Sequence, residues 1–129
     1  MSWQSYVDQA LISTNKIDQA CIYGLENGEV WAASPGISLI DTEYDDLVKG
    51  FSDPTHLSAN GLNINGVKYF ILRADDRSIY GKKGNGGVIN VKTNKAIIIG
   101  VYSEGVQLGE ASGVVEKLAD YLINLDYLI

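Results

Sequence analysis

The sequence predicts an α+β fold: a single-domain antiparallel sheet over residues 1–129, with N- and C-terminal helices packed on one face and short helices on the other. Three observations predict it. Apolar residues recur at helical spacing near both chain ends, the middle is a series of short runs rich in β-branched and aromatic residues, and the links between those runs are too short for helical crossovers. Neighbouring strands should therefore pair antiparallel, which disfavours a doubly wound nucleotide-binding sheet.

Ser2 is placed to cap a first helix in which Trp3, Tyr6, Val7, Ala10 and Leu11 form one apolar face, ending near Thr14-Asn15. Ala20 to Tyr23 and Val30 to Ala33 read as the strands of a hairpin, with Asn27-Gly28 in the turn. Asp41 can cap a second helix whose buried side is Tyr44, Leu47, Val48 and Phe51, and Asp53-Pro54 stops it. A brief third helical turn is expected around Thr55 to Ala59. Leu62 to Ile64 and Val67 to Ala74 flank an Asn65-Gly66 turn, and three more strands are expected at Ser78 to Lys82, Val88 to Lys92 and Ala96 to Tyr102. The unbroken apolar run Ala96-Ile97-Ile98-Ile99 implies a central strand covered on both faces. A closing helix from Gly113 to about Asp126 carries Val114, Val115, Leu118, Ala119, Leu122 and Leu125 on one side, with Tyr121 at the edge of that side.

With 46% hydrophobic and 20% charged residues, the chain has the composition of an ordinary globular domain. The start has no basic region followed by an apolar stretch, and no segment approaches the ~18 apolar residues of a membrane span. Cys21 is the single cysteine, so no disulfide forms within the chain and no cysteine metal site is expected, which suits a reducing cytosol. The net charge of -6 argues against attraction of the whole protein to nucleic acid or membrane. Charge is uneven, however: between Lys68 and Lys95 seven bases (Lys68, Arg73, Arg77, Lys82, Lys83, Lys92, Lys95) face two acids. One face or edge of an acidic protein is thus expected to be locally basic.

Features that could carry catalysis are weak. A Cys-His pair would need Cys21 and His56 together with a third orienting group, yet Cys21 sits among apolar neighbours in a predicted strand and His56 follows a proline turn. Gly81-Lys82-Lys83-Gly84-Asn85-Gly86-Gly87 lacks the spacing of either phosphate-binding loop and reads as a glycine-rich hairpin with two solvated lysines. Asp75-Asp76, between Arg73 and Arg77, reads as a salt-bridged turn, and the acids from Asp41 to Asp46 suit a helix N-terminus. Neither enzyme nor cofactor is indicated. Trp3, Tyr6, Trp31, Tyr121 and Tyr127 suit either the core or an aromatic groove for polyproline II ligands, whose free carbonyls could accept from indole N–H and phenol O–H groups.

Several blocks resemble the profilin family, especially profilins of amoeboid protists. They are Ser2-Trp3-Gln4-Ser5-Tyr6-Val7-Asp8, Val30-Trp31-Ala32, the stretch from Arg73 to Gly84, and Val114 to Ile123. The resemblance covers nearly the whole chain. It implies a monomeric, non-enzymatic protein of the cytoplasm and actin cytoskeleton that binds monomeric actin, regulates its polymerisation and brings it to proline-rich proteins such as formins. It implies a polyproline groove at Trp3, Tyr6, Trp31, Tyr121, Leu122 and Tyr127, and an actin surface at Lys68, Arg73, Lys83, Gly105, Val106, Gly109 and Ser112. Weak phosphoinositide binding is implied at Lys68, Lys82 and Lys83. The chain departs from the family in running on past its usual end as Tyr127-Leu128-Ile129, and in Gly113 and Lys117, where some relatives have other polar residues. The alternative is a regulatory scaffold that binds a non-actin protein through its sheet edge.

Overall fold

A computed structural model of the protein describes residues 2–128, and of residues 126–128 the backbone alone. Seven strands form one antiparallel sheet: β1 (Gln19–Gly24), β2 (Val30–Ala33), β3 (Leu62–Ile64), β4 (Val67–Ala74), β5 (Ser78–Lys83), β6 (Gly86–Lys92) and β7 (Ala96–Tyr102). Their spatial order is β2-β1-β7-β6-β5-β4-β3. Every neighbouring pair is antiparallel, as the short connections require.

The N-terminal helical segment opens with α1 (Trp3–Ser5), widens to a π-helix over Tyr6–Leu11 and tightens to a 3-10 turn over Ile12–Thr14. The Ser2 hydroxyl accepts from the Ser5 N–H at 3.1 Å, and Asn15 ends the segment in the left-handed region at φ 62°. Two helices cover the opposite face, α2 (Asp41–Ser52) and α3 (Thr55–Asn60). Asp41 is not the cap of α2. That position belongs to Ile40, whose N–H donates to Glu43 Oε1 at 3.1 Å, so Asp41 is instead a first-turn acid placed favourably against the helix dipole. The closing helix α4 spans Leu108–Leu128 and starts five residues before the expected Gly113.

Alternation along the strands sorts the apolar residues into two cores. On one face Val7, Leu11, Val115 and Ala119 of the terminal helices pack on Ala20, Ile22, Ile89, Val91 and Ile98. On the other, Leu47, Phe51 and Leu57 pack on Cys21, Tyr23, Ile79, Ile97 and Ile99. Consecutive residues Ile97, Ile98 and Ile99 thus enter alternate cores and are fully buried, which accounts for the unbroken apolar run. The Asn65-Gly66 turn has both residues at positive φ, 54° and 77°, the hairpin geometry expected of that pair. The buried Glu43 carboxylate also accepts from the Asn65 and Gly66 N–H groups, tying α2 to this turn.

The terminal-helix layer does not cover the whole sheet. Contacts of α4 fall on β6 and β7, and the N-terminal segment lies toward β1 and β2. On the same face β4 and the Lys82 end of β5 are left open, while Ser78 and Tyr80 of β5 are buried beside α4.

Candidate functional site

The first site lies where the N-terminal segment, β2 and α4 meet. The Trp3 and Trp31 rings have centroids 4.7 Å apart, those of Trp3 and Tyr6 are 5.6 Å apart, and Tyr6 and Tyr121 meet edge to face at 6.1 Å. Four rings therefore run continuously from β2 across the N-terminal segment to α4. They are only partly covered: Trp3 is 37% exposed and Tyr121 49%, while Tyr6 is buried between them. Burial, and then the neighbouring Tyr121 phenol, raise the pKa of Tyr6 above the ordinary phenol value, so its hydroxyl stays a neutral donor. Leu122 is buried at the base of this layer. The Tyr127 and Leu128 side chains and Ile129 lie outside what the structure describes.

Two features that hold these rings had no signal in the sequence pattern. The Gln4 carboxamide accepts from the Ala33 N–H at 3.3 Å and donates to the Ala33 carbonyl at 3.0 Å, pinning the start of the helical segment to β2. Gly24 lies under the Trp31 indole. A Cβ at residue 24 would sit 2.7 Å from the indole Nε1 and Cε2, so the ring can lie flat on the strand only because residue 24 is glycine.

The second site is the open face of β4 and β5. Register puts Phe70 opposite Lys82 and Arg73 opposite Tyr80, with an irregularity between Ile71 and Arg73 that inserts one extra residue. Without that bulge Arg73 would point to the other face, because side chains alternate. With it, Lys68, Phe70, Arg73 and Lys82 share one side. Lys68 Nζ lies 6.0 Å from the Phe70 ring centroid and the Arg73 guanidinium 5.3 Å from that of Tyr80. Phe70 is 69% exposed and Leu72, the extra residue, 50%. These two apolar residues are the part of the patch that sequence patterning missed, since only the fold shows that nothing covers them.

Lys82 and Lys83 are adjacent in β5 and so project to opposite faces of the sheet, which splits the expected trio of Lys68, Lys82 and Lys83. Lys83 instead lines a shallow hollow with Asn85, Ser103 and Glu104, next to Gly105 and Val106. Gly109 and Ser112 lie on the first turns of α4. From that helix Glu116 reaches β5, accepting from Arg77 Nε and Nη2, from Ser78 Oγ at 2.7 Å and from the Tyr80 hydroxyl. Burial first, and then the Glu116 carboxylate, push the Tyr80 pKa to about 12. Glu116 thereby ties the third turn of α4 to β5 beside the open face.

Asp75 makes the expected salt-bridged turn, accepting from Arg73 Nε at 2.9 Å and from the Arg77 and Ser78 N–H groups. Cys21 is fully buried, and burial pushes its thiol pKa to about 12, far from a reactive thiolate. His56 sits exposed on α3, its Nδ1 beside the Asn60 amide. Among the described residues no group of three or more His, Cys, Asp or Glu is placed to hold a metal ion, and no helix is long and apolar enough to cross a membrane. The sheet ends in the short strands β2 and β3, which offer a partner few free backbone groups.

A family model described as Profilin matches residues 1–127. The chain is 52% identical to Profilin-2 of Acanthamoeba castellanii over 123 residues, 95% of this chain and 97% of that one. The crystal structure of Acanthamoeba castellanii profilin II matches with a TM-score of 0.92 at 50% identity, covering 97% of this chain and 99% of that one. A more distant likeness of fold is to mouse profilin IIa in complex with a double repeat from the FH1 domain of mDia1, with a TM-score of 0.81 at 24% identity over 98% of this chain and 99% of that one. Family model, sequence and fold agree, and the chain belongs to the profilin family of actin-regulating proteins.

Proposed function

We propose that this protein is a two-surface adaptor of the cytosol and actin cytoskeleton: the aromatic run takes proline-rich segments, such as those of formins, and the open β4–β5 face with the start of α4 takes an actin monomer. The observation that carries this reading is the continuous run Trp31, Trp3, Tyr6, Tyr121, in which Trp3 and Tyr121 stay exposed on either side of the buried Tyr6. Its flat rings suit a polyproline II helix, which reaches the protein already extended and leaves its carbonyls unpaired. Trp3 and Tyr121 provide the accessible ring surface, with Tyr6 and Trp31 behind them, and Leu122 supports the layer from below.

The second surface has the anatomy of a protein interface, an apolar centre at Phe70 and Leu72 rimmed by Lys68, Arg73 and Lys82. Lys83, Gly105, Val106, Gly109 and Ser112 extend it along the edge toward α4. Phosphoinositide headgroups are a lesser ligand of the same charges. Lys68 and Lys82 share a side there and Lys83 does not, so that attraction is weak and salt-sensitive. The protein acts as a monomer and without chemistry of its own.

Titration with poly-L-proline, followed by intrinsic fluorescence of Trp3 and Trp31, the two tryptophans of the chain, tests the reading. A saturable change is expected, lost in Trp3→Ala while actin-monomer binding persists. Failure of the wild-type protein to respond and to bind a polyproline column would overturn it.

A further inference from the structure

The chain contains four Asn-Gly pairs: Asn27-Gly28, Asn60-Gly61, Asn65-Gly66 and Asn85-Gly86. Such a pair carries its own chemistry, because glycine has no side chain to shield its backbone nitrogen from the amide carbon of the asparagine before it. Attack needs an asparagine side chain free to swing back, a glycine N–H that can be released and a backbone that can close into a five-membered ring.

The fold withholds these conditions from three pairs. Asn65 Nδ2 donates to the Gly36 carbonyl at 2.9 Å and its Oδ1 accepts from the Ser38 N–H at 3.3 Å, while the Gly66 N–H is held by Glu43 at 2.8 Å. Asn60 donates to the His56 carbonyl at 3.1 Å, and the Gly61 N–H donates to the Leu57 carbonyl at 2.7 Å. Gly86 is fixed within β6, paired with Lys83 and packed so closely that a Cβ there would meet the Tyr102 carbonyl oxygen at 2.6 Å. Asn27 is the exception. It lies in the turn between β1 and β2, and its exposed carboxamide makes no hydrogen bond among the described residues. The bond to be released, from the Gly28 N–H to the Gly24 carbonyl, is 3.1 Å long, more than its counterparts at Gly61 and Gly66.

We propose that Asn27-Gly28 is a site of spontaneous covalent modification, where the folded chain converts to aspartyl and isoaspartyl forms. The Gly28 N–H gives its proton to hydroxide and the nitrogen forms a bond to Asn27 Cγ. The Cγ–Nδ2 bond breaks, and the departing nitrogen takes a proton from water and leaves as ammonia. A further water opens the cyclic imide. Cleavage at Cγ leaves aspartate at residue 27, whereas cleavage at the main-chain carbonyl leaves isoaspartate, with the chain running through Cγ. One water is consumed, one ammonia is released, and nothing is oxidised or reduced.

Isoaspartate lengthens the turn by one main-chain atom and adds a carboxylate between Glu26 and Glu29. The turn hangs on Gly24, whose carbonyl also accepts from the Tyr44 hydroxyl at 2.9 Å and whose N–H donates to the Glu29 carbonyl at 2.8 Å. Gly24 is the floor beneath the Trp31 indole. Resting on the polyproline reading above, conversion therefore slackens the groove and leaves the β4–β5 face untouched.

The test ages the folded full-length protein in mildly alkaline buffer and follows each pair by peptide-mapping mass spectrometry, with isoaspartate counted by enzymatic carboxyl methylation. Conversion at residue 27 should run several-fold faster than at the other three pairs, and the preference should vanish in urea, where no fold protects them. Decaproline affinity should fall several-fold in the aged wild type but not in aged Asn27→Gln, with actin-monomer binding kept by both. Earliest conversion at another pair, or no preference for residue 27 in the folded protein, overturns the proposal. Conversion at residue 27 with unchanged decaproline binding overturns its link to Trp31. Fresh protein that fails to bind decaproline defeats the groove reading instead, and the peptide map still decides the site.

Discussion

The aromatic groove and the open β4–β5 face are built by opposite means. The groove is assembled from contacts: four rings touching in sequence, a glutamine pinning the helical segment to β2, and a glycine that lets an indole lie on the strand. The open face is made by an omission, since the terminal-helix layer reaches no further than Ser78 and Tyr80 of β5 and leaves β4 and the Lys82 end of β5 exposed. Its one constructed element is the bulge that turns Arg73 to the side of Phe70. A site built from contacts fails when any support is changed. A site left by omission tolerates changes to the fold's interior and fails when its own exposed residues are removed.

The largest expected effect breaks the groove from beneath without touching a ring. Gly24→Val places a side chain where the Trp31 indole lies, with Cβ 2.7 Å from ring atoms. Polyproline binding should fall below detection, thermal denaturation should show a loss of about 1–3 kcal/mol, and the folded fraction should still bind actin monomer. On the other surface, Phe70→Ser should reduce actin affinity by about 2 kcal/mol, roughly thirtyfold, as expected for the apolar centre of an interface. Phe70 is mostly exposed, so melting should hardly shift and polyproline titration should be unchanged.

The smallest effect sharpens the comparison through pH. Burial opposes ionisation of Asp75, but the Ser78 and Arg77 N–H groups and the Arg73 side chain outweigh it and hold its pKa below the ordinary 3.8. A carboxyl depressed on folding stabilises the native state above its unfolded pKa, and that contribution is lost as the pH falls through the folded value. Melting temperature followed downward through pH 3.8 should therefore drop less steeply in Asp75→Asn than in the wild type. The carboxyl is 38% exposed and the difference is small. The groove rings carry no carboxylate, so Trp3→Ala should leave the slope of this acid limb unchanged.

Much of this was legible where side-chain type carries the information. Alternate burial of Ile97, Ile98 and Ile99 follows from strand periodicity, and the turn at Asn65-Gly66 follows from the backbone freedom of that pair. Trp3, Tyr6, Trp31 and Tyr121 stood out as aromatics before the fold brought them together. The start of α4 was hidden because Gly109, Glu110, Ser112 and Gly113 dilute the apolar pattern, leaving Ala111 as its one fully buried residue before Val115. The cap of α2 was misplaced because Glu43 reaches back to the Ile40 N–H and makes a side-chain acceptor at the cap unnecessary. Phe70 looked like any strand aromatic, since exposure there depends on how far the terminal-helix layer extends over its face of the sheet. The bulge at Leu72 was invisible because it depends on the partner strand's register.

The central claim is that the two surfaces are independent. Titrating decaproline into the protein alone, and into the protein saturated with actin monomer, tests it directly. Dissociation constants within about twofold of each other are predicted, a coupling well below 1 kcal/mol. Competition between the two ligands, or loss of both activities in Trp3→Ala with the fold intact, would contradict the account.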